Sequence, residues 1–101
     1  MPLIARGNGV DIVNTGHDVC LAPGQIATLS CSPNVFVAGV GIHREGDTNT
    51  PHTHCPPVYS TQVVTFSPNV FANGLHVARQ GDTYSCTAFV ETVTQGTVFA
   101  N

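Results

Sequence analysis

The chain has 101 residues, with three Lys or Arg, six Asp or Glu, a formal net charge of −3 and only 9% charged residues. Three basic residues cannot supply the clustered cations that phosphate binding needs, which argues against nucleic acid as a partner. No apolar run approaches the roughly 20 residues of a bilayer-spanning helix, no charged-then-apolar leader opens the chain, and the length fits one domain, residues 1–101.

Ten Gly and seven Pro, with many Thr, Val and Asn, leave little room for helix. No window carries a sustained apolar period near 3.6, so an all-β chain of short strands and hairpins is expected. In chain order, Gly7-Asn8-Gly9 is not followed by a helix and so does not read as a phosphate-binding loop. Val35-Phe36-Val37 reads as a strand entered just after Pro33, with Ala38-Gly39 as its turn. Gly46-Asp47 reads as a turn, the Asp side chain accepting nearby backbone N–H groups. Val63-Val64 is a further short strand. After Pro68 come Val70-Phe71, the strong hairpin signal Asn73-Gly74 and Leu75-His76-Val77. Gly81-Asp82 repeats the Asp turn, and Val98-Phe99 is a last strand cluster.

These elements recur. "SPNVFVAGVGIHREGD" (Ser32 to Asp47) and "SPNVFANGLHVARQGD" (Ser67 to Asp82) share Ser-Pro-Asn-Val-Phe, a Gly turn and the ending Arg-x-Gly-Asp. A degraded third copy joins Thr97-Val98-Phe99-Ala100-Asn101 at one end to Ala5-Arg6 and Asp11 at the other. Three units result, about Ala5 to Gly41, His43 to Gly74, and Ala78 to Asn101. Arg6, Arg44 and Arg79 recur in phase and are expected to brace the Asp residues or fork onto backbone carbonyls.

Five Phe, two Tyr and no Trp make a thin core for this length, so a staple is expected: a disulfide, a metal or a partner. Each Asp is followed by donors: His17 after Asp11, His52 and His54 after Asp47, Cys86 after Asp82. If a pseudo-threefold axis relates the units, these loops meet at one end, and three imidazoles with one thiolate suit a tetrahedral Zn²⁺. The rival is a pair of disulfides, for example Cys20 with Cys31 and Cys55 with Cys86, in a secreted binding module. On the residues alone both stay open. His43 and His76 lie on predicted strands and read as structural. His52, His54 and Cys55 lack a recognisable orienting group for thiol catalysis, so an enzyme, such as a small metal-dependent hydrolase, is a minor alternative.

"VARQGD" and "IHREGD", each with a His or Cys loop and each paired with "SPNVF", resemble the PAAR-repeat family over nearly the whole chain. So do "VNTGHDVC", "GDTNTPHTHCPP" and "GDTYSC". Of the Pro-Ala-Ala-Arg letters, Leu75-His76-Val77-Ala78-Arg79 keeps only the Ala-Arg end. The resemblance implies a small cone that caps a trimeric β-helical spike, at the tip of a contractile phage tail or type VI secretion system. It also implies one structural zinc per chain near the point, held by three His and one Cys. Carried over by position, these are His17, His52, His54 and Cys86, with Cys55 the alternative donor in the crowded middle loop. Implied further are a non-enzymatic monomer without a toxin domain, one chain per spike trimer, transient contact with a bacterial envelope, and synthesis in the bacterial cytoplasm before outward delivery.

Overall fold

The computed structural model describes residues 1–16, 24–53 and 58–101. Among these there are nine strands and no helix: β1 Ile12–Asn14, β2 Gln25–Ala27, β3 Phe36–Val37, β4 Val40–Gly41, β5 His52–Thr53, β6 Val58–Tyr59, β7 Phe71–Ala72, β8 Leu75–His76 and β9 Phe89–Thr92. The all-strand expectation is met. The molecule extends 35 × 23 × 21 Å.

β3–β4 and β7–β8 are the two predicted hairpins, pairing Phe36 with Gly41 and Phe71 with His76. Their turns carry positive φ at both central residues, Ala38 (49°) with Gly39 (82°) and Asn73 (56°) with Gly74 (76°). That backbone matches the right-handed twist of the flanking strands. Ser32 and Ser67 prepare the entry: each hydroxyl accepts the N–H groups two and three residues on, at 2.9 to 3.4 Å. Val63-Val64 and Val98-Phe99, expected as strands, form only single bridges, Val63 with Tyr84 and Phe99 with Leu3. The sheet β2-β1-β9 was not foreseen, because its short segments carry no alternating pattern.

The bridge from Leu3 to Phe99 repeats the pairing of Phe36 with Gly41 and Phe71 with His76. The third unit is therefore completed by the chain's first residues. Gln95 stands where the other units have Ser32 and Ser67. Its Oε1 accepts the Thr97 and Val98 N–H groups, both at 2.9 Å, and its Nε2 donates to the Ile4 and Val98 carbonyls at 3.0 and 2.8 Å.

One backbone cycle ties the units together. Ala5 N–H donates to the Ala78 carbonyl (3.0 Å), Ala78 N–H to His43 (2.8 Å), and His43 N–H to Ala5 (3.0 Å). All three residues are fully buried. Bridges of Ile4 with Arg79, Arg6 with Ile42 and Arg44 with Val77 flank it. The buried apolar residues fall into two clusters that meet at this cycle. One gathers Val13, Val63, Tyr84 and Val90 with Ala5 and Ala78; the other gathers Val37, Ala72 and Ala100 with Ile4, Ile42 and Val77.

Candidate metal centre

Each loop that carries a predicted ligand leaves from an Asp turn. Asp47 accepts the Arg44 backbone N–H at 2.8 Å and the Arg44 guanidinium at 2.9 and 3.2 Å. Asp82 does the same with Arg79, at 2.7, 2.9 and 2.9 Å. Asp11 still accepts the Arg6 N–H at 2.7 Å. The inserted turn at Asn8-Gly9 separates the two side chains, however, and the Arg6 guanidinium donates to the Val37 and Ala38 carbonyls and to Thr94 Oγ1. The recurring Arg thus acts as a brace in two units and as a fork in the third.

The loops then meet. The first and second are joined where Thr50 N–H donates to the Ala27 carbonyl at 2.9 Å. The second and third are joined where Ser85 N–H donates to the Gln62 carbonyl at 2.8 Å. Gly16, the residue before His17, lies against Thr87, the residue after Cys86. Thr87 Oγ1 donates to the Thr15 carbonyl at 2.7 Å. A Cβ on Gly16 would come within 2.2 Å of the Thr87 carbonyl oxygen, and its φ is +70°. Only glycine allows this approach.

Of the four predicted ligands the described residues include His52 and Cys86, and these are brought together: His52 Nε2 lies 3.6 Å from Cys86 Sγ. Nδ1 of His52 is 2.8 Å from the Thr50 carbonyl. A carbonyl only accepts, so Nδ1 carries the proton and Nε2 turns a lone pair toward the sulfur. Cys86 sits at the tip of the turn closed by Tyr84 N–H donating to the Ala88 carbonyl at 3.0 Å. Ala88 N–H in turn points at Sγ, at 3.4 Å. His17, His54 and the alternative donor Cys55 lie outside the described residues, as does Cys20. Among the described residues no group of three or more His, Cys, Asp or Glu gathers around one point.

The pair suits a metal. A tetrahedral zinc with sulfur at about 2.3 Å and nitrogen at about 2.05 Å holds the two donors about 3.5 Å apart. The imidazole is oriented by a backbone carbonyl, as metal-binding histidines commonly are. Cys31 and Cys86 are free thiols among the described residues; Cys20 and Cys55, their partners in the disulfide alternative, lie outside them.

A buried polar pair stands apart from the ligands. His43, on the backbone cycle, has Nδ1 2.8 Å from the Ser30 carbonyl and Nε2 2.8 Å from the Tyr84 hydroxyl. Nδ1–H donates to Ser30, and the Tyr84 O–H donates to Nε2. Burial lowers the His43 pKa below its ordinary 6.5, keeping the ring neutral. Burial, then the charges of Asp11 and Asp47, pushes the Tyr84 phenol far up. His76 is also structural: Nδ1 is 2.6 Å from the Ser67 carbonyl, and the ring packs on Phe66 and Phe71 at 4.6 and 4.3 Å.

Sequence reading missed Thr61, Asn49 and Gly16. Thr61 Oγ1 is 3.2 Å from Cys86 Sγ and is held by the fully buried Asn49. A Thr and an Asn in loops rich in both give no signal. Gly16 beside His17 was the one legible hint.

A model of the PAAR motif matches residues 13–92. No curated protein was found to match the chain.

Proposed function

This chain belongs to the PAAR-motif family, whose members are spike-tip proteins of contractile injection systems, and from that premise we propose that it caps one trimeric β-helical spike as a non-enzymatic piercing tip. One chain sits on each trimer, at the end of a phage tail or a type VI secretion spike, and meets a bacterial envelope point first.

The observation that carries this reading is a set of three phenylalanines. Phe36, Phe71 and Phe99 occupy equivalent pairing positions in the three units, and they are 58, 53 and 48% exposed. Large apolar side chains placed alike and left open to water mark a contact surface rather than chance exposure. The closed cycle through Ala5, His43 and Ala78 supports a pseudo-threefold arrangement of the units. A pseudo-threefold face offers each of three identical chains a similar edge and a similar aromatic ring. Strand ends of a β-helix gain backbone partners in such a joint.

His17, His52, His54 and Cys86 would hold a structural zinc at the opposite end. Bound there, the ion supplies cross-linking of the three loops, on the order of 10 kcal/mol in small zinc units. The chain's own residues prepare the site. Thr50 orients His52, Ala88 N–H supports the charge on Cys86, and the Thr87–Thr15 contact closes the first loop onto the third. A point so fastened resists splaying under axial load although its apolar core is small.

Mass measurement on a mixture with the cognate spike trimer tests the proposal. One chain per trimer is expected. Changing Phe36, Phe71 and Phe99 to Ser should abolish association, measured below the lowered melting temperature that follows from losing the buried half of each ring and the Phe71–His76 contact. Affinity should depend weakly on salt, because few charges are available to screen. Three chains per trimer, or undiminished binding by the triple variant, contradicts it.

A further inference from the structure

We propose that Thr61, clamped by Asn49, is the positioning residue of the Cys86 sulfur, donating its hydroxyl proton to the thiolate and tuning its bond to a soft or borderline divalent metal. The inference rests on the metal reading above.

Asn49 and Thr61 form a two-bond clamp. Asn49 Nδ2 donates to Thr61 Oγ1 at 2.8 Å, and Thr61 N–H donates to Asn49 Oδ1 at 2.9 Å. Asn49 is fully buried and Thr61 is 3% exposed. The Asn49 backbone N–H also donates to the Thr61 carbonyl, at 3.2 Å. Both the backbone and the side chain of Thr61 are therefore fixed. Oγ1 accepts from Asn49 and keeps its own proton to donate, and Cys86 Sγ stands 3.2 Å away, where a thiolate can only accept it.

A thiolate accepts hydrogen bonds and donates none. Here it meets two donors, the Thr61 O–H at 3.2 Å and the Ala88 N–H at 3.4 Å, while His52 Nε2 faces it at 3.6 Å. Two fixed donors leave the remaining lone-pair direction of the sulfur on the His52 side. Hydrogen bonds to a metal-bound sulfur also draw charge from it, and outer contacts of this kind commonly alter metal affinity by about 10- to 100-fold. Purely steric packing would need only the shape of Thr61. A positioning role needs its proton.

Thr61→Val keeps the shape and removes the proton, while Thr61→Ser keeps the proton. Each full-length variant is stripped and reloaded with cobalt(II), and zinc affinity is measured by competition with a coloured chelator. Thr61→Val should shift the sulfur-to-cobalt charge-transfer band to lower energy and weaken zinc binding about tenfold or more. Thr61→Ser should stay near the parent in both. If Thr61→Val does not fold, Thr61→Ala, which leaves Asn49 room for a water, replaces it as the variant lacking the donor. A band and affinity unchanged without the hydroxyl overturn the proposal alone, as does a Ser variant as impaired as Val. A parent protein that takes up no cobalt overturns the metal reading and the proposal with it.

Discussion

Changing Tyr84 to Phe removes a single oxygen from the middle of the molecule. The ring is 2% exposed and stays in its place among Val13, Val63 and Val90. What is lost is the 2.8 Å bond from the Tyr84 O–H to His43 Nε2. His43 is fully buried and its other nitrogen is committed to the Ser30 carbonyl. Nε2 is then an acceptor without a donor in a dry site, which costs about 1–3 kcal/mol. The change gains nothing large in return, since Phe buries no more carbon than Tyr. A loss of ~2 kcal/mol lowers the melting temperature of a chain this size by ~8–16 °C. The assay is thermal unfolding of the metal-loaded protein near neutral pH, followed by circular dichroism. A shift below ~2 °C would mean that the His43–Tyr84 bond contributes little, and that the backbone cycle alone fixes His43.

Acid should weaken the fold through the same histidine. Burial holds the folded His43 pKa below the ordinary 6.5. Below that pH the unfolded chain binds a proton that the folded ring refuses. The contribution is therefore complete above pH 6.5 and falls by ~1.4 kcal/mol per unit below it, until the folded ring protonates. His43→Gln should flatten this slope relative to the parent, and equal slopes in the two proteins would refute it. Gly16→Ala forces a positive φ on alanine and drives a Cβ at the Thr87 carbonyl. It should cost ~2 kcal/mol or more in urea unfolding. Gln95→Leu strips four hydrogen bonds from the joint between the chain ends. A loss of ~2–4 kcal/mol is expected, read as earlier amide exchange at Ile4 and Val98. Metal analysis should show about one zinc per chain, lost in Cys86→Ser and kept in Cys31→Ser. Equal effects of the two substitutions would count against the ligand assignment.

Much of this was written locally. Turn residues declare themselves, because Asn73-Gly74 and Gly81-Asp82 satisfy backbone demands within a few residues. The repeated Ser-Pro-Asn-Val-Phe and Arg-x-Gly-Asp phrases gave the two clear hairpins, the Asp turns and the resemblance to the family. The donors in the loops gave a candidate ligand set, of which the described part, His52 and Cys86, lies within 3.6 Å.

What the sequence left unsaid depends on residues far apart in the chain. Gln95 takes over a serine's task with a different functional group, so no alignment of letters shows it. Leu3 completes a unit that begins near the other terminus. Strands of three or four residues carry too few side chains for a period to emerge, which hid β1, β2 and β9. The Thr61–Asn49 clamp and the close approach of Gly16 to Thr87 exist only once three loops are packed together. Propensity and turn chemistry act over neighbours in sequence, and these the chain encodes in short phrases. Hydrogen-bond satisfaction and close packing act over neighbours in space, and only the folded backbone decides which residues those are.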